Sequence, residues 1–196
     1  MVYGKLEIDM VNSSTSESLT PGNDTRNVVD RFKGMSEEDI ITILDSEGVD
    51  LEVAIENTLR DFNMGTIVRT ANAFGVRHLH VIGRRQWNKR GAMKTDAYMH
   101  IHYHSTVEGF EDAMRQKDYS LIAVDNVKGS KPLHKERLPS KSVLIFGQEG
   151  PGLSQELLDI SDQIVAIEQL GSTRSLNVGT AAGIVMYEWL RVNKLQ

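Results

Sequence analysis

Residues 144–154 read LIFGQEGPGLS and join an apolar run to a glycine-rich loop. Gly147 and Gly152 stand in the G-x-x-x-x-G frame of a phosphate-binding loop, which normally continues with Lys and then Ser or Thr. Here the loop continues with Leu and Ser, and Glu149 adds a negative charge where phosphates would be held. The missing lysine argues against a nucleoside-phosphate enzyme and leaves the ligand of this loop open.

Strands and helices alternate on both sides of the loop from residue 51 onward. The pattern predicts strands at 51–56, 78–83, 120–125, 142–147 and 162–167, and helices at 63–74, 107–116, after Ser154, and from about 176 to 192. This alternation indicates βαβ units, and therefore an α/β fold with a mainly parallel sheet flanked by helices. Ligands of such sheets bind beyond the carboxyl ends of the strands, where Asp125, Gly147 and Ile167 fall.

The N-terminal quarter differs from the rest of the chain in composition. Residues 11–27 are polar and rich in Ser, Thr and Asn, which predicts a disordered or loosely attached arm. A short accessory helix is expected to begin at a capping box at Ser36 and to end at Gly48. We therefore divide the chain into an N-terminal region, 1–48, and a main domain, 49–196.

The composition limits the chemistry and the cellular location. The chain has no cysteine, which excludes disulfides, thiolate catalysis and cysteine-ligated zinc, and suits a reducing compartment such as the cytoplasm. The N-terminus lacks the apolar core of a signal peptide. The longest apolar stretch near the C-terminus is too short to span a bilayer, so we expect no membrane association.

Charge is distributed unevenly, although the net charge is −5. Residues 1–62 hold 14 acidic and 5 basic side chains, whereas residues 63–196 hold 13 acidic and 17 basic ones. The run from Arg77 to Lys94 has six basic residues and no acid. Basic side chains neutralise phosphates and an aromatic ring can stack on a base, so the run predicts an RNA contact. The alternative is a solvated loop whose tryptophan covers the core. The candidate RNA-binding residues are Arg84, Arg85, Trp87, Lys89 and Arg90.

Three histidines, His100, His102 and His104, fall on one side of a possible strand because they are two residues apart. Three imidazoles could bind zinc. A polar strand face explains them equally well, and no carboxylate is obviously placed to support them as ligands. We therefore predict no metal site.

Two further stretches carry polar residues beside helices. In NMGTIVRTANAFG, residues 63–75, Asn63 is placed to cap a helix, and Arg69 borders its apolar face. Arg69 either extends to solvent or points into a strand-end cleft, where its donors would hold a phosphate or an oxyanion.

In GSTRSLNVGTAAGIVMYEW, residues 171–189, polar residues directly precede a helix of small residues. Ser175 and Asn177 are both candidates for capping this helix, and Asn177 is also a candidate for turning inward to satisfy backbone groups. Gly179 and Gly183 allow very close packing against another backbone, either within the subunit or across a dimer.

Three of these stretches, NMGTIVRTANAFGV, LIFGQEGPGLSQELLD and IEQLGSTRSLNVGTAAGI, resemble the three ordered motifs of the SpoU-like (TrmH-like) RNA ribose 2′-O-methyltransferases of the SPOUT superfamily. The resemblance covers roughly residues 51–192. It implies S-adenosylmethionine as methyl donor, tRNA or rRNA as substrate, a homodimer, and a C-terminal segment threaded into a trefoil knot. A sulfonium cofactor carries no phosphate, which would explain the missing lysine and the tolerated Glu149.

The resemblance also assigns roles by position. It implies that the catalytic residues are Asn63, Arg69, Glu149, Ser175 and Asn177. It implies that the cofactor is contacted by Val124, Gly147, Gly150, Ile167 and Leu176. The chain departs from the family where Glu168 and Gln169 replace the common Pro-Met, and where Gly179 and Thr180 replace Ser-Val.

For Arg69, we expect a role in holding the adjacent phosphate and stabilising the developing alkoxide, because a guanidinium is rarely deprotonated in proteins. None of these roles requires a metal. The alternative function is a non-catalytic RNA-binding paralogue that keeps the fold.

Overall fold

The computed structural model describes residues 19–57, 63–148 and 150–195. Most of the predicted N-terminal arm and the predicted catalytic Glu149 therefore lie outside the described residues. The chain divides into two compact units, Met1–Ser36 and Glu37–Gln196. The predicted boundary after residue 48 falls later in the chain than the division between these units.

Within the first unit, the described residues are organised around Asp24. Its carboxylate pairs with Arg26 at 2.6 Å and accepts a hydrogen bond from the Gly34 amide at 2.9 Å. These hydrogen bonds hold the pKa of Asp24 well below its usual range, and the largest effect comes from the Arg26 side chain. A short 3-10 turn follows at Asp30–Phe32. One carboxylate therefore gathers enough donors to fix a turn in this part of the chain. The disordered or loosely attached arm over residues 11–27 stays a prediction.

The second unit contains the parallel sheet that the sequence predicts. Within the described residues its strands are β1 (Leu51–Asn57), β2 (His78–Gly83), β3 (His100–His104), β4 (Ser120–Val124), β5 (Lys131–Pro132), β6 (Ser142–Phe146) and β7 (Gln163–Ala166). All are paired in parallel, in the order β3-β2-β1-β6-β4-β7-β5. The α/β fold is thus confirmed. The pattern predicts five of these strands; it indicates β3 only as a possible strand, and it misses β5, which is two residues long and too short to show a period.

Helices cover both faces of this sheet. They are α1 (Glu37–Glu47), α2 (Met64–Ala73), α3 (Val107–Arg115), α4 (Gln155–Ile160) and α5 (Val178–Asn193). Val53 and Ile55 of β1 share a core with α2 and α5, while Ala54 shares the opposite core with α3 and α4. All seven residues of β1 are buried, including the polar Glu52, Glu56 and Asn57, because helices cover both faces of this central strand. No helix among the described residues is long and apolar enough to cross a bilayer. The trefoil knot stays a prediction.

The small residues of α5 pack against α2 of the same chain. A Cβ added to Gly179 would lie 3.1 Å from Thr66 Cγ2, and one added to Gly183 would lie 3.7 Å from Thr70 Cγ2. The sequence left open whether this stripe packs within the subunit or across a dimer. Within the subunit its partner is α2, and a contact across a dimer stays a prediction.

Five histidines of β2 and β3 stack in one row, here called the histidine ladder, in the order His100, His78, His102, His80 and His104. Successive ring centroids lie 4.9, 5.2, 4.9 and 5.1 Å apart. Asp45 accepts a hydrogen bond from His100 at 3.0 Å, and Glu52 contacts His80 at 2.5 Å. Among the described residues, no three His, Asp or Glu side chains are placed to share a metal ion, because the rings stack instead of converging.

Acidification is expected to destabilise the fold through this ladder. Burial lowers the pKa of His78, His102 and His104 from the usual 6.5, in the case of His102 to about 4. Neutral imidazole is therefore favoured in the folded state. The contribution of these histidines to the free energy of unfolding is fully present above pH 6.5 and is lost as the pH falls towards 4. We expect the free energy of unfolding to drop by on the order of 2 kcal/mol over this range, after discounting for partial exposure.

Urea unfolding at pH 7.5, 6.0 and 5.0 measures this loss. His102→Gln should flatten the pH dependence, whereas Tyr103→Phe, on the same strand but outside the row of imidazoles, should keep the wild-type slope. Equal stability of the wild type at pH 7.5 and 5.0 would contradict the prediction.

Candidate active site

A cavity of about 390 Å³ opens at the carboxyl ends of β4, β6 and β7. Its position is the one that parallel sheets generally use for ligands. All five of the predicted cofactor contacts line it: Val124, Gly147, Gly150, Ile167 and Leu176. Ser175 and Asn177, predicted as catalytic residues, line it too. The chain thus brings its second and third motifs together around one space of a size typical for small-molecule sites.

The glycine loop forms one wall of this cavity, and its glycines are needed for its shape. Gln148 and Gly152 form an antiparallel bridge, in which each amide donates to the other's carbonyl at 3.2–3.3 Å. Gly150 and Gly152 have φ angles of +97° and +73°, which favour glycine. A Cβ on Gly147 would overlap the backbone of Gly152. Gly147 therefore has no room for a side chain, whereas Gly150, with open space around it, is favoured by its positive φ alone.

The amides at the end of this loop are already occupied by carboxylates. Leu153 N donates to Asp125 Oδ2 at 2.8 Å, and Ser154 N donates to Glu56 Oε2 at 2.8 Å. In a phosphate-binding loop, amides at the start of the following helix would point at the phosphate. The described residues that line the cavity include Asp125 but no Lys or Arg. This arrangement disfavours a phosphate and suits a ligand that carries positive charge.

The first motif reaches the cavity through a pair of asparagines. Asn177 Nδ2 donates to Asn63 Oδ1 at 2.9 Å, while Asn177 Oδ1 accepts from the Thr180 amide at 3.1 Å and caps α5. Asn63 stands at the start of α2, but its side chain makes no capping bond to that helix. The expectation that Asn177 turns inward is wrong, because its side chain is exposed while it serves both partners.

Arg69 lies on the exposed surface of α2 and does not line the cavity at the ends of β4, β6 and β7. Within the described residues its guanidinium has no ion-pair or hydrogen-bond partner. On the same helix, Thr66 and Thr70 face α5, so Arg69 borders the contact between α2 and α5. Its donors are therefore free to meet a group outside the cavity, such as a bound substrate.

The predicted RNA-binding residues follow β2, and most of them are exposed. Arg84, Arg85, Lys89 and Arg90 are at the surface. Lys89 pairs with Asp96 at 2.7 Å, and the Arg85 guanidinium lies 4.6 Å from the centre of the Tyr103 ring. Arg77, at the start of the basic run, is instead buried and bonded to Asp45 at 2.8 Å. The exposed basic surface therefore begins after β2.

Trp87 is half-buried and packs against the core that β1 shares with α2 and α5. This favours the alternative in which the tryptophan covers the core, so its stacking on a base stays an untested prediction. Buried Asn57, at the end of β1, donates to the carbonyls of Arg84 and Gln86 at 2.5 and 3.0 Å. Asn57 therefore fixes the path of residues 84–90, here called the basic segment.

The basic segment ends against the start of α2. A 3-10 turn at Arg90–Ala92 follows it, and a Cβ on Gly65 would lie only 2.7 Å from the Ala92 amide nitrogen. This close approach places the exposed arginines beside the helix that carries Asn63 and Arg69.

Sequence reasoning missed several residues of this site. Asp125 lines the cavity and holds the loop, although the sequence marked it only as a strand end. Glu56 and Asn57 were not singled out, although a signal was present, since two adjacent polar residues stand at the end of β1. Gln169 also lines the cavity, at a position noted only as a departure from the family pattern.

Comparisons with known proteins agree with this geometry. A model of the SpoU rRNA Methylase family matches residues 50–187. The chain is 32% identical over 149 residues to the uncharacterized tRNA/rRNA methyltransferase YfiF of Escherichia coli O157:H7, a match that covers 74% of this chain and 43% of YfiF. It is 25% identical to the tRNA (guanosine(18)-2′-O)-methyltransferase of Escherichia coli K12, covering 71% and 62%. The chain thus spans less than two thirds of either relative.

Solved structures of RNA methyltransferases and related enzymes have a similar fold. The A. aeolicus TrmH/SpoU tRNA modifying enzyme superposes with a TM-score of 0.71 at 25% identity, over 81% of this chain and 83% of that one. An AdoMet-bound rRNA methyltransferase from Sinorhizobium meliloti superposes with a TM-score of 0.65 at 28% identity, over 72% of this chain and 56% of that one.

Proposed function

The chain belongs to the SpoU rRNA methylase family, and we propose that it transfers a methyl group from S-adenosylmethionine to a ribose 2′-hydroxyl of tRNA or rRNA. The observation that carries the proposal is the single cavity at the carboxyl ends of β4, β6 and β7. It gathers the residues that the second and third motifs assign to the cofactor, and the Asn63–Asn177 hydrogen bond ties the first motif to it.

The cavity suits this cofactor chemically. Val124, Ile167 and Leu176 offer apolar walls for a base, and Asp125 is the charged group beside them. Two loop amides that could bind a phosphate are held by carboxylates instead. When bound, S-adenosylmethionine supplies an electrophilic methyl group on a positively charged sulfur, which the negative charge of Asp125 would favour in this cavity and a lysine would repel.

Separate residues then have separate roles in the proposed reaction. We assign Arg69 to the phosphate beside the reacting ribose, where its charge stabilises the alkoxide that develops as the 2′-hydroxyl loses its proton. The proton passes to a phosphate oxygen or to water. The start of α2 and the segment before α5 are held in place by Asn63, Ser175 and Asn177. The 2′-hydroxyl is thereby aligned for in-line attack.

The test is transfer of a radiolabelled methyl group from S-adenosylmethionine to bulk tRNA and, separately, to rRNA. Label in an alkali-resistant dinucleotide would establish ribose methylation and identify the RNA class. Thermal shift provides the binding test: S-adenosylhomocysteine should stabilise the protein and ATP should not. Stabilisation without any label on either RNA would favour the non-catalytic paralogue.

RNA recognition is assigned to the exposed arginines after β2. Replacing Arg84, Arg85 and Arg90 together with Gln should weaken RNA binding by on the order of a hundredfold and reduce the slope of log K against log salt, by up to about 0.9 for each phosphate that is no longer neutralised. Fluorescence anisotropy at several salt concentrations measures both effects. The control removes the same charge elsewhere: Lys135, Arg137 and Lys141, all exposed, replaced with Gln. An unchanged slope in the first variant would place the RNA surface elsewhere.

The same proposal includes a homodimer and a cytoplasmic location. Ile184 and Tyr187 of α5 are 41% and 52% exposed and line a second cavity of about 690 Å³. Ile167 lines both cavities, so a subunit docked there would adjoin the cofactor site. Sedimentation equilibrium should give the mass of a dimer, and a monomer at all concentrations would refute this part. Cell fractionation tests the location.

A further inference from the structure

Gln169 carries a buried hydrogen-bond acceptor that stands out among the described residues. It lies just after β7, and its Oε1 has no donor among the described residues. Five other buried side-chain atoms share this condition within the described part of the chain, on Asn57, Asn72, Arg77, Trp87 and Gln163. Of these six residues, Gln169 is the one that lines the cofactor cavity. Burying an acceptor without a partner costs free energy, so a donor from a ligand would be stabilised there.

The surroundings of Gln169 indicate which donor fits. Val124, Ile167 and Leu176 give the same cavity apolar walls, which suit a planar base. A cationic ammonium group would be stabilised better by the carboxylate of Asp125 than by a neutral amide oxygen. An exocyclic amine on the base is a neutral donor, and its hydrogen bond lies in the plane of the ring.

We propose that Gln169 reads the base of the cofactor: its Oε1 accepts a hydrogen bond from the 6-amino group of adenine and so selects adenine over a 6-oxo base. This inference rests on the proposed function, and it assigns to that function a residue where the chain departs from the family pattern. A 6-oxo base would place an acceptor against Gln169 Oε1, and both oxygens would lose their partners.

Titration calorimetry with S-adenosylhomocysteine and its 6-oxo analogue, S-inosylhomocysteine, tests the proposal. The wild type should bind the adenine ligand about tenfold more tightly or better, the value of one buried hydrogen bond. Gln169→Met has a similar length but no acceptor. It should weaken S-adenosylhomocysteine about tenfold, leave the 6-oxo ligand nearly unchanged, and so remove the preference.

Gln169→Glu separates this role from a rotated amide. A glutamine could turn its amide and donate to a 6-oxo base, whereas an ionised carboxylate can only accept. Gln169→Glu should therefore keep or widen the preference for adenine. Gln155→Met is the matched control, because Gln155 is exposed on α4 and bonds Asp159 at 2.7 Å, outside the cavity.

Two results would overturn the assignment while leaving the proposed function intact. Equal weakening of both ligands by Gln169→Met would mean that the side chain only shapes the loop, and no change with either ligand would mean that it does not contact the base. Failure of the wild type to bind S-adenosylhomocysteine at all would overturn the proposed function itself, and this inference with it. The wild-type titration and the methyl-transfer assay distinguish that case from the first two.

Discussion

Arg69→Ala is expected to lower the rate of methyl transfer by about a thousandfold and to leave the affinity for S-adenosylhomocysteine nearly unchanged. Removing one charged group that stabilises a developing oxyanion typically costs a factor of about 10²–10³. In the proposed mechanism Arg69 also positions the RNA phosphate, so we expect the upper end of this range. The cofactor should still bind, because Arg69 does not line the cofactor cavity.

Single-turnover transfer of labelled methyl groups measures the first effect, and titration with S-adenosylhomocysteine measures the second. Arg69→Lys keeps the charge but loses the planar fork of donors, so it should recover only part of the rate. Lys141→Ala removes an exposed cation just before β6, at the amino end of that strand and not at the carboxyl end where the cavity lies, and should behave as the wild type. Loss of cofactor binding in Arg69→Ala would show that Arg69 acts at the cofactor instead of the substrate.

The overall fold was predictable because its signals are local. A short apolar run bounded by turn residues predicts a strand, and apolar residues that recur every 3.6 positions after it predict a helix. Each signal is contained in about a dozen neighbouring residues. The order of strands in the sheet was not predictable in this way. β1 pairs with β6, which lies about ninety residues later, and nothing within either strand specifies that neighbour.

The polar contacts of the site depend on the same long-range pairing. Ser154 N reaches Glu56 only because β1 and β6 lie side by side, although the two residues are 98 positions apart. The histidine ladder shows the same limit. Its three members on β3 are visible as an alternation, but His78 and His80 join them only through the register of β2 against β3.

Trp87 shows a different limit, because the sequence offered two interpretations that composition cannot separate. An aromatic residue in a basic segment stacks on a base if it is exposed and covers the core if it is not. Exposure is a property of the packed structure, and here the ring lies against the core. Arg77 illustrates the same point for charge, since its place in a basic run does not reveal that it is buried.

Gly147→Ala is expected to weaken cofactor binding by more than about a hundredfold and to lower the melting temperature by roughly 5 °C. The added methyl group would lie 2.5 Å from the Gly152 carbonyl oxygen and 2.6 Å from the Leu153 nitrogen. Both neighbours are backbone atoms, which cannot turn aside as a flexible side chain can. Overpacking of this kind costs about 1–3 kcal/mol, and each kcal/mol corresponds to about 2–4 °C in a chain of this size.

The effect on binding should exceed the effect on stability, because relief of the clash requires the loop to open where it forms the cavity wall. Titration with S-adenosylhomocysteine and thermal unfolding separate the two effects. Gly171→Ala is the matched control, since no atom lies within 4 Å of the added methyl group. Gly150→Ala has equal space but a φ of +97°, so it isolates backbone strain from overlap. Wild-type affinity in Gly147→Ala would mean that this loop does not contact the cofactor, and the site would have to be sought elsewhere.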